Sequence, residues 1–243
     1  MARFFVDKEG FTEDGIRITG ADAHHIARSL RMAEGDGVTV CDGCGKEYLC
    51  TLSRIRDDEC LCSIISESEG QGEPPVFITL CMAYPKGDKL ETVIQKAVEL
   101  GVSKIIPFES SRCIKRPKAE KAEKQTQRLQ RIAEEAAKQC GRAKIPEITA
   151  PIGYREMLSE AKSSSLSLFC YENEDGSTVK SALPDEMPES ISVIVGSEGG
   201  FSPEEAALAS ESGAVSVSLG RRILRCETAP LFALTAISYK YEL

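Results

Sequence analysis

Residues 196–205, Gly-Ser-Glu-Gly-Gly-Phe-Ser-Pro-Glu-Glu, hold the first spacing that could do chemistry. Gly196, Gly199 and Gly200 follow the β-branched apolar run 191–195 and precede a helix start: Ser202 as N-cap, Pro203 at the first helical position, Glu205 completing a capping box. Glycine lets the backbone turn sharply and approach a bound group, so a strand–loop–helix of this kind usually cradles a phosphate. This loop departs from both phosphate patterns. A Walker loop needs Lys and then Ser or Thr after its last glycine, where Phe201-Ser202 stands; the spacing Gly-x-Gly-x-x-Gly fails because Ser197 and Glu198 follow Gly196. A carboxylate at Glu198 would also repel phosphate. Two readings stay open on this stretch: a ligand without phosphate, or a tight connection with no ligand.

The second such stretch is 219–230, Leu-Gly-Arg-Arg-Ile-Leu-Arg-Cys-Glu-Thr-Ala-Pro. It joins a strand at 215–219 to a closing helix at 231–241 that Thr228 can cap, and it keeps Arg225 and Glu227 near the loop, where alone they read as a structural ion pair. The ten cysteines offer metal chemistry only weakly. Cys41-x-x-Cys44 with Cys60-x-Cys62 is one residue short of zinc-knuckle spacing, and Asp42-Gly-Cys-Gly45 reads as a hairpin turn, so no metal is expected. The two histidines, His24 and His25, are adjacent, which disfavours a Cys–His nucleophile.

Two textures of sequence must position these loops. Residues 1–66 read as short strands, at 4–6, 16–18, 38–41, 48–53 and 60–66, with one short helix that Asp22 would cap; 67–75, polar and ending in two prolines, reads as a linker. Beyond it, strand-like runs at 76–83, 104–108, 165–171, 191–195 and 215–219 alternate with helical segments, as in a parallel α/β sheet. Domains are therefore expected at 1–70 and 76–243. The chain has 42% hydrophobic and 28% charged residues, an ordinary globular composition, and neither a membrane-length apolar run nor a signal-peptide core, so a cytoplasmic location is expected.

The net charge of −8 disfavours nucleic acid, but the charge is unevenly spread: residues 104–144 carry twelve Lys and Arg against five Glu. Within the long helix expected at 119–140, Leu129, Ile132, Ala133, Ala136, Ala137 and Cys140 form one apolar stripe, and Lys124, Arg128, Arg131, Lys138 and Arg142 fall on roughly the opposite face. With Arg112, Lys115, Arg116 and Lys118 before it, this reads as a phosphate-facing surface rather than a merely solvated face.

Taken in order, "KAVELGV", "AAKQCGRAKIPEI", "GSEGGFSPEE" and "LGRRILRCETAPL" resemble the 16S ribosomal RNA uracil-N3 methyltransferases of the SPOUT superfamily over nearly the whole chain. Ser197 stands where that family commonly has proline and Cys226 where it commonly has threonine. The resemblance implies a PUA-like β-barrel at 1–70, a SPOUT-type parallel sheet with a C-terminal deep trefoil knot, and a homodimer. It also implies S-adenosylmethionine as cofactor, held by Tyr171 and Glu172, by Gly196, Glu198, Gly199 and Gly200, and by Leu219, Gly220, Ile223 and Leu224. A sulfonium cofactor explains a glycine loop without lysine. Arg225 would then stabilise the developing uracil anion and Glu227 orient Arg225 or relay the proton; Arg28, Arg31, Arg112, Lys115, Arg116, Arg128, Arg131 and Arg142 would grip 16S ribosomal RNA within the small ribosomal subunit. Two other readings compete: a non-catalytic RNA-binding protein, which would not bind S-adenosylmethionine, and an α/β nucleotide-binding enzyme, which needs a phosphate loop the sequence lacks.

Overall fold

The computed structural model describes residues 1–114, 119–174 and 176–243. The chain divides into two compact units, Met1–Glu73 with Ala137–Ile145, and Pro74–Ala136 with Pro146–Leu243.

The first unit contains β1 (Ala2–Phe5), β2 (Phe11–Thr12), β3 (Gly15–Thr19), α1 (Gly20–His24), β4 (Gly37–Cys41), β5 (Lys46–Ile55) and β6 (Glu59–Glu69). They form one sheet in the order β1-β4-β5-β6-β3-β2, antiparallel except between β1 and β4. Strand alternation builds its core: Ile16 and Ile18 turn inward from β3 while Arg17 and Thr19 face out, and they meet Phe4, Val38, Val40 and Leu52. No ladder among the described residues joins β1 to β2, so in its hydrogen bonding the expected barrel is an open sheet around one core. The hairpin turn is built as the sequence suggests, with Asp42 Oδ1 accepting from the N–H groups of Cys44 (2.7 Å), Gly45 (3.0 Å) and Lys46 (3.0 Å). Two expectations fail locally. β6 continues through Glu69, pairing Glu67 and Glu69 with Tyr48 and Lys46, so the linker begins only at Gly70. Asp22 lies inside α1 rather than capping it, and its carboxylate accepts from Lys138 Nζ (3.1 Å).

The second unit contains β7 (Phe77–Ala83), α2 (Lys89–Glu99), β8 (Lys104–Glu109), α3 (Ala119–Cys140), β9 (Glu147–Ile148), β10 (Ile152–Gly153), α4 (Tyr154–Ala161), β11 (Leu166–Cys170), α5 (Val179–Ala182), β12 (Ser190–Val195), α6 (Pro203–Glu211), β13 (Val215–Val217) and α7 (Thr228–Tyr241). All its strands pair in parallel, in the order β10-β8-β7-β12-β11-β13, with β9 also on β8. The central strands are covered on both faces, which is why 191–195 is apolar but for one residue: Ile191, Val193 and Ile194 are fully buried, and so is Ser192. Helix ends follow their local signals. Gly101, with φ +84°, ends α2, and Ser202 and Glu205 exchange both bonds of the capping box on α6. Thr228 is the first residue of α7, not its cap; Glu227 holds that place without a side-chain bond.

The apolar stripe of α3 is buried at Leu129, Ala133, Ala136 and Ala137, with Ile132 and Cys140 half-buried; Lys124, Arg128 and Arg131 are exposed. Arg142, expected on that exposed face, is a correction. The helix ends at Cys140, and Gly141 (φ +83°) turns the chain out of the helical period. Arg142 is 3% exposed. Its Nη2 donates to Glu73 Oε2 (2.7 Å), and Glu73 Oε1 also accepts from the N–H groups of Ala143 and Lys144, both at 3.0 Å. The pair also explains why residues 137–145 belong to the first unit, which the expected boundary at 76 does not anticipate. Removing one partner of a buried ion pair strands the other, so Glu73→Ala is expected to lower unfolding free energy by about 3–5 kcal/mol in urea titration. A loss below about 1 kcal/mol would contradict this placement.

Candidate active site

Parallel strands all end at the same edge of their sheet, and ligands of α/β sheets collect beyond that edge. Here β11, β12 and β13 are neighbours, and the loops after them enclose a cleft of about 950 Å³. All ten residues expected to hold a cofactor line it: Tyr171 and Glu172 after β11; Gly196, Glu198, Gly199 and Gly200 after β12; Leu219, Gly220, Ile223 and Leu224 after β13. Arg225 lines it too, whereas Glu227 stands just behind, its carboxylate 3.9 Å from the Arg225 guanidinium.

The glycine loop is held from beneath and from the side. Phe201 is 1% exposed and packs at 4.4 Å between ring centroids on Phe169 of β11 and at 6.4 Å, stacked, on Phe108 of β8. Gly200 N donates to Ser197 O (3.0 Å), and Arg112 Nη1 donates to Gly199 O (2.9 Å). Gly200 has φ +62°, and a Cβ there would lie 2.2 Å from Glu172 Oε1, so conformation and space both require glycine. At Gly199 a Cβ would meet Arg112 Cβ at 2.9 Å.

Of the charged residues that line the cleft, Lys89 and Glu174 escape sequence reasoning. Lys89, the first residue of α2 in the chain leaving β7, places Nζ 3.0 Å from Glu198 Oε1, 3.2 Å from Glu227 Oε2 and 3.8 Å from Cys226 Sγ. Glu198 Oε1 also accepts from the Lys86 N–H at 3.0 Å. The partner that Glu198 holds is therefore a lysine from another strand end. A faint signal exists in the sequence: lysine opposes the helix dipole at the start of a helix, which calls for another reason for its presence.

These contacts set the charge states. Burial opposes ionisation of Glu198, but the Lys89 ammonium and the Lys86 N–H outweigh it and hold the carboxyl below its usual range. Glu227 is held low mainly by its own backbone amide, with the Cys226 thiol and Lys89 adding. The two carboxylates raise Lys89 above the ordinary ammonium value. Burial, and then donation to Glu227, push the Cys226 thiol up to about 12, leaving it a neutral donor. Cys41 and Cys62 are likewise buried and pushed up to about 11 and about 12, while Cys44 is exposed; no three His, Cys, Asp or Glu side chains converge as a metal site among the described residues.

The residues expected to grip RNA fall in both units and differ in their engagement. Arg112 is engaged with the glycine loop, and Arg128 Nη2 reaches Glu91 Oε2 at 2.9 Å while staying exposed. Arg131 is exposed on α3. In the first unit Arg28 pairs with Asp57, and Arg31 is exposed with φ +52°. Lys115 and Arg116 lie outside the described residues. Among the described residues no helix is long and apolar enough to cross a membrane.

The depressed carboxylates have a thermodynamic consequence with a definite sign. A carboxyl whose folded pKa lies below its unfolded value, near 4.5, contributes stability above that pH and loses it as pH falls through the folded value. In thermal melts the wild-type midpoint should therefore fall more steeply below about pH 4.5 than that of a Glu198→Gln, Glu227→Gln double variant. Parallel curves would contradict the assignment.

Known proteins are similar to this chain in both fold and sequence. The model of the RNA methyltransferase domain matches residues 72–238, and that of the RNA methyltransferase PUA domain matches 18–65. The chain is 35% identical, over all of its own length and 98% of the relative's, to the ribosomal RNA small subunit methyltransferase E of Bacillus subtilis. Among solved structures it is similar to a ribosomal RNA small subunit methyltransferase E from Neisseria gonorrhoeae bound to S-adenosylmethionine, with 32% identity, TM-score 0.87 and coverage of 99% of this chain and 98% of that one. A putative methyltransferase from Legionella pneumophila, in complex with the same cofactor, gives 32% identity and TM-score 0.87, covering 98% of this chain and 97% of that one. The chain belongs to this family of RNA methyltransferases.

Proposed function

We propose that the protein methylates N3 of a uridine in small-subunit ribosomal RNA, using S-adenosylmethionine held in the cleft beyond β11, β12 and β13. The single observation that carries the reading is that the three strand-end loops, with Arg225, line one cleft. Its residues fit the cofactor. Glycines at 196, 199, 200 and 220 expose backbone N–H and C=O groups, and Leu219, Ile223 and Leu224 offer apolar wall. Lys89, the one lysine lining the cleft among the described residues, is engaged by two carboxylates. Glu172 and Glu174 place carboxylates in the cleft for a sulfonium, while Arg221, Arg222 and Arg225 line it from the loop after β13.

When bound, the cofactor supplies an electrophilic methyl group. The chain's own task is to align uracil N3 and stabilise the base as an anion once N3 loses its proton. Arg225, 84% exposed at the cleft, is placed to donate to a uracil carbonyl oxygen as negative charge develops, and Glu227 behind it orients the guanidinium or relays the proton. Because N3 lies on the Watson–Crick edge, the base must be unpaired or extruded to reach this cleft. Arg28, Arg31, Arg128 and Arg131 then contact RNA phosphates of the small subunit, in the assembled particle. The buried, paired Arg142 is not among them.

Two further features extend the reading. After β13 at the sheet edge, the chain returns so that α7 packs on central β12 and on α2, a return that supports reading the C-terminal segment as a trefoil knot. On α7, Phe232, Thr235 and Tyr239 are exposed at helical spacing, an apolar-rich stripe suited to a second copy of the chain. The protein acts as a homodimer.

Two outcomes check this reading. Calorimetric titration should show S-adenosylmethionine binding by the wild type and at least about tenfold weaker binding by Gly200→Ala, a weakening of about 1.4 kcal/mol or more; no wild-type binding would refute the reading. The pair Arg128→Glu and Arg131→Glu should flatten the salt dependence of ribosomal RNA binding by about 0.7–0.9 in log–log slope for each phosphate that the arginines neutralise. An unchanged slope would remove α3 from the RNA interface.

A further inference from the structure

Lys89 stands where three strand ends meet. It opens α2 after β7, and its ammonium reaches Glu198 in the loop after β12 at 3.0 Å and Glu227 in the loop after β13 at 3.2 Å. Helix stability does not account for it. A cation at the first helical position opposes the helix dipole, and the N-cap, Asp88, makes no side-chain capping bond. Glu198 accepts instead from the Lys86 N–H just before the helix, so the glycine loop is tied to the start of α2 through both backbone and side chain.

We propose that Lys89 is a positioning residue for methyl transfer: it locks Glu227 at the angle from which the carboxylate faces Arg225, and couples that carboxylate to the glycine loop. The proposal rests on the methyltransferase reading above. The charged and titratable groups around Glu227 are few among the described residues: Lys89 from α2, Glu198 from the glycine loop, and Cys226 and Arg225 from its own loop. Cys226 Sγ donates to Glu227 Oε2 at 3.3 Å, so both Lys89 and the thiol hold that oxygen and Oε1 is left toward Arg225, 3.9 Å away. A carboxylate already engaged by an ammonium and a thiol is a poor proton acceptor and a good orienting anion. Of the two roles open to Glu227, this geometry favours orienting the guanidinium, and the N3 proton then leaves to solvent water. Without Lys89, Glu227 would lose the stronger of its two side-chain partners and keep only the thiol, and the two loops would lose their only shared cation among the described residues.

The test measures single-turnover methyl transfer to small-subunit RNA across a pH series, at saturating S-adenosylmethionine and RNA. Lys89→Met, Lys89→Arg, Glu227→Gln and the Lys89→Met, Glu227→Gln double variant are compared with the wild type. Lys89→Met should slow transfer by about 10²-fold, the scale of a misplaced catalytic group, and Lys89→Arg should recover to within about tenfold of wild type. If Lys89 acts through Glu227, adding Lys89→Met to Glu227→Gln should cost less than about threefold more, because residues acting as one unit are not additive. The acid limb of the Lys89→Met profile should move to higher pH, since its Glu227 protonates more readily. Losses that multiply in the double variant, with the acid limb unmoved, would overturn the proposal, because a purely structural lysine behaves that way. If Lys89→Met does not fold, Lys89→Arg decides: recovered transfer with a wild-type acid limb upholds the role, and a loss of about 10²-fold refutes it. The two levels fail separately. A wild type that does not bind S-adenosylmethionine overturns the methyltransferase reading and the proposal together, whereas an active wild type with multiplying losses overturns the proposal alone.

Discussion

Strands that run parallel must all release the chain at the same edge of the sheet, and the site depends on that constraint. In the second unit that edge receives four chain exits of consequence, from β7, β12, β11 and β13, which are consecutive in the sheet. Loops far apart in sequence are thereby gathered without any direct contact between them being required. The aromatic cluster of Phe201, Phe169 and Phe108 fixes the exit from β12, because a ring anchored in the core leaves Gly196 to Gly200 little freedom to drift. The chemistry is built on what the sheet positions.

Electrostatics then decide what the gathered loops can accept. Lys89 has two carboxylates within 3.2 Å, so it presents little unopposed charge to the cleft. Glu172 and Glu174 at the same cleft add negative charge, while Arg221, Arg222 and Arg225 supply guanidinium groups from one loop. The combination suits a cationic cofactor beside an anionic nucleic acid. It also explains how an acidic chain of net charge −8 can belong to a family of RNA-modifying enzymes: basic groups are concentrated locally, and the sign of the whole molecule says little about one face.

Elements governed by neighbouring residues were legible in the sequence. The run at 191–195 is β12, α3 spans 119–140 as its period implies, and Ser202, Pro203 and Glu205 start α6 as a capping box requires. The three loops of the site were legible because glycines at strand ends mark close backbone approach, and the family resemblance supplied what they approach. What was not legible depends on partners distant in the chain. Arg142 looked exposed because the helical period was carried past Cys140, yet Gly141 ends the helix and Glu73, 69 residues away, takes the guanidinium inside. Lys89 was missed for the same reason: its partners lie 109 and more residues downstream, and only its awkward place at a helix start hinted at them. Glu67 and Glu69 have linker composition, but β5 offers them a strand to pair with.

Methyl transfer to the Watson–Crick edge of uracil in small-subunit RNA is the reaction we propose for the cleft, with Arg225 and the basic helix serving it. The most direct test incubates small ribosomal subunits lacking native methylation with the protein and S-adenosylmethionine carrying an isotopically labelled methyl group, then digests the RNA to nucleosides for mass spectrometry. The expected result is label in 3-methyluridine, at one site per particle. Label in a ribose-methylated or C5-methylated nucleoside, or none at all, would contradict it.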